Sequence, residues 1–313
     1  MRIHLGITDN DWCAQLAAMA RRGGLEEVNF WRPSNLGFHT LRAGEIFLFK
    51  LHAPRAVFAG GGIMTRTAHL PVRLAWEAFG AANGVTSEAE MLERIRGYRK
   101  GRGVAPGDTI TCIVLSEPFF FEAGEEIAAP SSFARSIQTG KTYDTEEADG
   151  RALYAALQER LQRAAIAAPG PAVFQLREGR RVGAPIAVFP RLGQGGFRVS
   201  ITEAYRRRCA MTGEKTLPAL DAAHIRPYSD GGGHELSNGL LLRRDLHRLF
   251  DWGYVGVNPD DRRIVVSSRI KTEFENGREY YALHGRALAP PADRLAQPSP
   301  EAMRYHAEHV FRG

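Results

Sequence analysis

Leu220-Asp221-Ala222-Ala223-His224-Ile225-Arg226-Pro227-Tyr228 opens the most informative segment of the chain, which runs on to Asp251. A polar loop, Ser229-Asp230-Gly231-Gly232-Gly233-His234, leads to Ser237-Asn238-Gly239-Leu240-Leu241-Leu242 and then to Arg243-Arg244-Asp245-Leu246-His247-Arg248-Leu249-Phe250-Asp251. The apolar run ending at His224 reads as a short strand and Gly239–Leu242 as a second, because glycine-rich polar residues separate two brief hydrophobic stretches. From about Arg244 to Asp251 the apolar residues recur at helical spacing. The segment is therefore a ββα unit.

Three polar side chains stand at its corners. A histidine at a strand end can deprotonate water, since imidazole titrates near neutrality. A histidine on the following helix can offer a nitrogen to a divalent cation, and the asparagine between them carries both donor and acceptor, enough to pin the loop that aims the base. Phosphodiester hydrolysis calls for this set, because it needs an activated water, a cation on the phosphate and a stabilised leaving oxygen.

The spacing of His224, Asn238 and His247 resembles the HNH, or ββα-metal, endonuclease motif, and the flanking Ala222–Tyr228 and Arg244–Asp251 segments resemble its restriction-endonuclease branch. The similarity reaches outward through Gly193-Gln194-Gly195-Gly196-Phe197-Arg198 and Cys209–Gly213 to Tyr305–Phe311. The resemblance implies His224 as general base, Asn238 as loop-ordering residue and His247 as metal ligand, with Mg²⁺, Mn²⁺ or Ni²⁺ as cofactor. Many relatives place a second ligand immediately before the base, where this chain has Ala223. Asp221 is nominated in its place and Asp245 comes second. Arg226, Arg244 and Arg248 surround the motif. Arg248, directly after His247, is expected to serve the reaction, and Arg226 and Arg244 the DNA backbone. His234 reads as a solvated loop residue, and His306 and His309 as packing or surface residues.

Upstream, residues 1–145 read as mixed α and β. Asp11–Arg22 has helical spacing with a cap at Asp9 or Asn10 and a stop at Gly23-Gly24. Short apolar runs follow at Glu27–Trp31, Glu45–Leu51, Ala56–Ile63 and Thr109–Leu115, with helical stretches at Pro71–Ala82 and Ser87–Tyr98. Asn29-Phe30-Trp31-Arg32-Pro33 and Ala59-Gly60-Gly61-Gly62 resemble the PUA-like group of domains (EVE, ASCH, YTH and SRA relatives), whose members hold a modified or extruded base. That resemblance makes Phe30, Trp31 and Tyr143 the expected base pocket, aromatic faces replacing the stacking a flipped base loses, with Lys141 and Arg135 on the DNA backbone.

Residues 146–175 read as a helix and linker: 146–167 carry Leu153, Leu157 and Leu161 every fourth residue, and Ala168-Pro169-Gly170-Pro171 then breaks the helix. Residues 176–313 are expected to form the nuclease domain, with a turn-rich Gly193–Gly196 ahead of a helix at Val199–Arg208. The fold class is α+β: a PUA-like β-barrel-type domain with helices, a linker helix and a ββα-metal domain. Bulk properties agree. The 313 residues suffice for two cores, no apolar run is long enough to span a membrane, and no secretory signal opens the chain, so a cytoplasmic location is expected. The formal charge of +6 is compatible with a polyanionic partner but does not establish one. Cys13, Cys112 and Cys209 are the only three cysteines, lie far apart and form no C-x-x-C pair, which rules out an evident zinc knuckle and argues against a disulfide framework. The whole reads as a modification-dependent restriction endonuclease acting on double-stranded DNA, with a 5-substituted cytosine as the modified base by family analogy. The alternatives are a non-catalytic modified-DNA binder with a degenerate HNH module, at which Ala223 hints, and an HNH nuclease that reads phosphorothioate or unmodified DNA. Two copies are expected, since cutting both strands with one site per chain favours a homodimer.

Overall fold

A computed structural model describes residues 1–100, 103–134, 136–167 and 192–313, and its contacts divide the chain into Met1–Leu192 and Gly193–Gly313. Ala168–Pro171 and Arg135 lie outside the described residues.

The first unit is built on a mixed sheet. Its elements are β1 (Arg2–Thr8), α1 (Asn10–Arg22), β2 (Glu27–Arg32), β3 (Ile46–Leu51), β4 (Val57–Pro71), α2 (Val72–Phe79), α3 (Glu88–Tyr98), β5 (Thr109–Phe120), β6 (Ile127–Ala128), β7 (Gly140–Asp144) and α4 (Ala148–Ala167). The strand path is β2-β5-β4-β3-β1-β7, with β6 against β4. β1 runs parallel to β3, and the other neighbours are antiparallel. No pairing of β2 with β7 closes the path into a barrel among the described residues.

Local chemistry explains the ends of the helices. Asp9 caps α1, its carboxylate accepting from the backbone N–H of Asp11 and Trp12. Ser87 caps α3 by accepting from Glu90 N, while the Glu90 carboxylate reaches back to Thr86 N at 2.7 Å and Thr86 Oγ1 at 2.6 Å. β4 does not stop at the triple glycine but runs on to Pro71. A Cβ on Gly60 would lie 2.3 Å from the Phe119 carbonyl oxygen, and one on Gly61 2.5 Å from that of Phe47. These glycines let three strands crowd together.

Alternation along the strands sorts the core into two clusters. In β3, Phe47, Phe49 and Leu51 face α1 and pack with Trp12, Leu16, Val28, Ile113 and Leu115. Ile46 and Leu48 face the opposite way and pack with Ile3, Leu5, Phe58, Tyr143 and, from α4, Leu153 and Leu157. A fully buried Phe or Leu of this kind contributes about 1.5–3 kcal/mol.

The second unit holds α5 (Gln194–Ala204), β8 (Leu220–His224), β9 (Gly239–Arg243), α6 (Arg244–Asp251), β10 (Val255–Val257), β11 (Ile264–Val266), α7 (Arg269–Phe274), α8 (Arg278–Tyr281) and α9 (Pro300–Tyr305), the last continued by a π-helical turn, His306–Val310. α5 begins at Gln194 and ends at Ala204, so Gly195 and Gly196 open the helix rather than precede it. Both are buried, as are Phe197, Val199, Ile201 and Ala204. β8 and β9 pair antiparallel, Leu220 opposite Arg243 and His224 opposite Gly239. Gly239 is where β9 meets α5, since a Cβ there would lie 2.3 Å from Ile201 Cδ1 and 2.9 Å from Phe197 Cζ. α6 buries Leu246 and Phe250 and turns its polar face away. His306 stacks on Phe250, with ring centroids 3.7 Å apart, and its Nε2 lies 3.0 Å from the Phe250 carbonyl oxygen. The three cysteines are free and buried, and no helix among the described residues is long and apolar enough to cross a membrane.

Candidate active site

β8 ends on His224, and α5 supplies the surface against which that ring rests. The imidazole is stacked on Phe197, with centroids 4.2 Å apart and planes 11° from parallel. Burial pushes its pKa down to about 4, helped by the nearby imidazoles of His234 and His247 and opposed by Glu235. At neutral pH the ring is therefore uncharged and can accept a proton.

Asn238, just before β9, is buried and fully engaged. Its Oδ1 accepts from Arg226 N at 2.8 Å, and its Nδ2 donates to the carbonyls of Arg226 at 3.1 Å and Gly233 at 3.0 Å. The backbone adds a bond from Ile225 N to the Asn238 carbonyl at 2.9 Å. One side chain thus ties both ends of the glycine-rich loop to the strand pair.

His247 faces β8 from α6. Its Nδ1 is 3.4 Å from Asp221 Oδ2, and its Nε2 is 3.3 Å from Asp251 Oδ2. Burial by itself lowers its pKa, but the hydrogen bond to Asp221 and the charges of Asp251 and Asp221 outweigh that and leave it raised. Asp221 is affected in the opposite sense: burial raises it, and His247 and Arg198 bring it below the usual carboxylate range. Arg198 Nε lies 3.4 Å from Asp221 Oδ1. Asp251 is raised, burial and the charge of Asp221 outweighing His247 and Arg248.

This row of carboxylate, imidazole and carboxylate offers the oxygen and nitrogen donors that small divalent cations take. Each ring nitrogen already faces one carboxylate, and among the described residues no three such groups converge on one point. The donors fit a cation that replaces one of the two ion pairs, held by His247 with Asp221 or with Asp251. Asp251 is the site residue that the sequence pattern did not single out. Its signal was present, since it lies four residues after His247 and so on the same helical face. Asp245, the second nominee, is instead committed to Arg243, whose Nε lies 3.0 Å from Oδ1, and to the Tyr280 hydroxyl at 3.3 Å.

Other expected residues fall in varied places. Arg248 is exposed, with its guanidinium 4.5 Å over the Trp252 ring. Arg226 lies 4.5 Å over the Tyr305 ring and donates through Nε to the Asp230 carbonyl at 2.9 Å. Arg244 is exposed at the first turn of α6. His234 is not a free solvated residue, for its Nδ1 lies 2.9 Å from His224 Nε2.

In the first unit, Phe30, Trp31 and Tyr143 do not come together. Phe30 packs beside Trp12 and Phe47, with centroids 5.5 and 4.7 Å away. Trp31 is buried with its indole N–H donating to the Asn83 carbonyl at 2.9 Å. Tyr143 belongs to the α4-side cluster, its hydroxyl 3.0 Å from Ser132 Oγ. Neighbouring strand residues point to opposite faces, so Phe30 and Trp31 cannot line one cavity. Lys141 sits 4.6 Å over the Tyr143 ring and donates to the Ser132 carbonyl at 2.9 Å.

Comparison with known proteins gives one family match and several solved structures. Residues 209–258 match the HNH endonuclease family, so the second unit carries an HNH endonuclease domain. Among solved structures, ASCH from Zymomonas mobilis is 11% identical, covers 49% of this chain and 94% of its own, and superposes with a TM-score of 0.36. The Y47F mutant of the Zymomonas mobilis ASCH protein is 9% identical over 49% of this chain and 96% of its own, with the same TM-score of 0.36. A structure described as the modification dependent TagI restriction endonuclease is 15% identical, covers 93% of this chain and 78% of its own, and has a TM-score of 0.27. No curated protein matches.

Proposed function

We propose, on the premise that the second unit is an HNH endonuclease domain, that this protein is a restriction endonuclease directed to double-stranded DNA carrying a modified base, a 5-substituted cytosine being the class to test first. The observation that carries the hydrolytic half is the meeting of β8, the loop and α6. A neutral imidazole held flat at a strand tip lies within electrostatic reach of an imidazole flanked by two carboxylates. His224 takes the proton of the attacking water. Asn238 holds the loop that keeps His224 in place, and His247, with either Asp221 or Asp251, supplies the donors for a divalent cation. That cation, when bound, neutralises charge on the scissile phosphate and its leaving oxygen. Arg248, exposed on α6 one residue beyond His247, serves a phosphate oxygen in this reading, and Arg226 and Arg244 contact the DNA backbone.

Modification dependence rests on the sequence resemblance of residues 1–145 to base-reading domains. Phe30, Trp31 and Tyr143 are packed into the fold in separate places, so the reading surface has to be sought elsewhere in that unit, with Lys141 as a backbone contact. Two copies acting together would cut both strands. The decisive experiment is a panel of unmodified, 5-methylcytosine, 5-hydroxymethylcytosine and phosphorothioate DNAs incubated with Mg²⁺, Mn²⁺ or Ni²⁺, or with chelator. Cutting confined to modified DNA and abolished by chelator is expected. Equal cutting of all substrates removes the reader, and binding without cutting under every ion removes the nuclease.

A further inference from the structure

The N···N contact between His224 and His234 has consequences for the base itself. Both rings are braced by aromatic faces, His224 by Phe197 and His234 by Tyr228, the latter pair 5.0 Å apart with planes 16° from parallel. His234 is also fixed through its backbone, since Asn238 Nδ2 donates to the carbonyl of Gly233, the residue immediately before it. Tyr228 is 61% exposed, so the outer edge of this ring ladder faces solvent. Two facing imidazole nitrogens 2.9 Å apart share a single proton, one donating and the other accepting. Among the described residues, Nδ1 of His224 has no hydrogen-bond partner.

Only one of the two proton placements leaves His224 able to act. With His234 donating, the lone pair on His224 Nε2 is occupied, its proton sits on Nδ1, and no nitrogen remains for water. With His224 Nε2–H donating, Nδ1 carries an open lone pair. We propose that His234 is a positioning residue that accepts the Nε2–H of His224 on its own Nδ1, fixing the tautomer in which His224 Nδ1 receives the proton from water. This rests on the reading of His224 as the base. When Nδ1 takes that proton the ring becomes a cation whose other N–H still points at the His234 lone pair, which stabilises the charge as the orienting partner of a catalytic histidine does.

The full-length protein with Mn²⁺ and a DNA it cuts supplies the test. His234→Phe keeps a ring against Tyr228 but has no acceptor, whereas His234→Asn restores an oxygen close to the position of Nδ1. The expected result is a fall in kcat of about 10–100-fold for His234→Phe with KM unchanged, and recovery of most of it by His234→Asn. ¹⁵N shifts of the His224 ring should report a protonated Nε2 and a bare Nδ1 in the parent, and a mixture of tautomers in His234→Phe. Parental kcat in His234→Phe, or a His224 ring protonated on Nδ1 in the parent, overturns the proposal. A parent that cuts no DNA removes the nuclease reading alone, and the nitrogen shifts still decide the tautomer.

Discussion

The two units place their polar and aromatic side chains by different routes. In the second, Asp221 and His224 come from β8, Asn238 from the turn just before β9, and His247 and Asp251 from the helix that follows it. In the first, the strand order β2-β5-β4-β3-β1-β7 brings together segments far apart in the chain, and its aromatics are divided between two core clusters. Neighbouring elements hold a site at short range and leave their mark on spacing. A non-local sheet assigns each side chain to a face only after the strands have found their partners.

The largest effect is expected in the second unit: His224→Ala should lower cleavage by about 10²–10⁴-fold while leaving DNA affinity intact in a gel-shift assay. Parental cutting by that variant would sink the local-site account. In the first unit, Phe47→Ala should cost about 3–5 kcal/mol of stability, read from urea unfolding followed through the buried Trp12 and Trp31. A loss under about 1 kcal/mol would mean that the α1-side cluster is too loosely packed to be a core.

Acid should act on both units through buried histidines. His4 in the first and His306 in the second are each pushed by burial down to about 4. The unfolded rings titrate near 6.5, so between about pH 6.5 and 4 the unfolded state binds more protons and stability falls as pH drops. It is fully present above that window. Each histidine contributes roughly 3 kcal/mol to this slope, and His4→Gln and His306→Gln should each flatten a plot of urea midpoint against pH. The smallest expected effect is Trp31→Phe, which leaves the Asn83 carbonyl without its indole donor and should cost about 1–3 kcal/mol, with affinity for modified DNA unchanged. Lost affinity at unchanged stability would return Trp31 to the base pocket.

Legibility divided along the same line. The ββα unit, its two strands and its helix are readable because glycine-rich polar residues interrupt apolar runs of the right length. The caps at Asp9 and Ser87 are readable because capping chemistry is local. Gly193–Gly196 misled, since Gly195 and Gly196 lie buried within α5 rather than in a turn ahead of it. In β4 the small size of Gly60 and Gly61 is explained by the close approach of neighbouring strands. Asp251 was within reach of a helical-spacing argument, whereas the pairing of Asp245 with Arg243 and Tyr280 was not, because Tyr280 arrives from far along the chain.

By itself the sequence determined the chemical kit: which residues of one short module could serve as base, loop anchor and cation ligand, and that two cores separate along the chain. Tertiary structure decided which of them meet. It set His234 against His224, ran Asp251 alongside His247, and buried Trp31 and Tyr143 in different parts of the fold. The reason is one of range: spacing along a helix or strand fixes neighbours within a turn or a pleat, but contacts between elements depend on how their apolar faces pack, which no local pattern encodes.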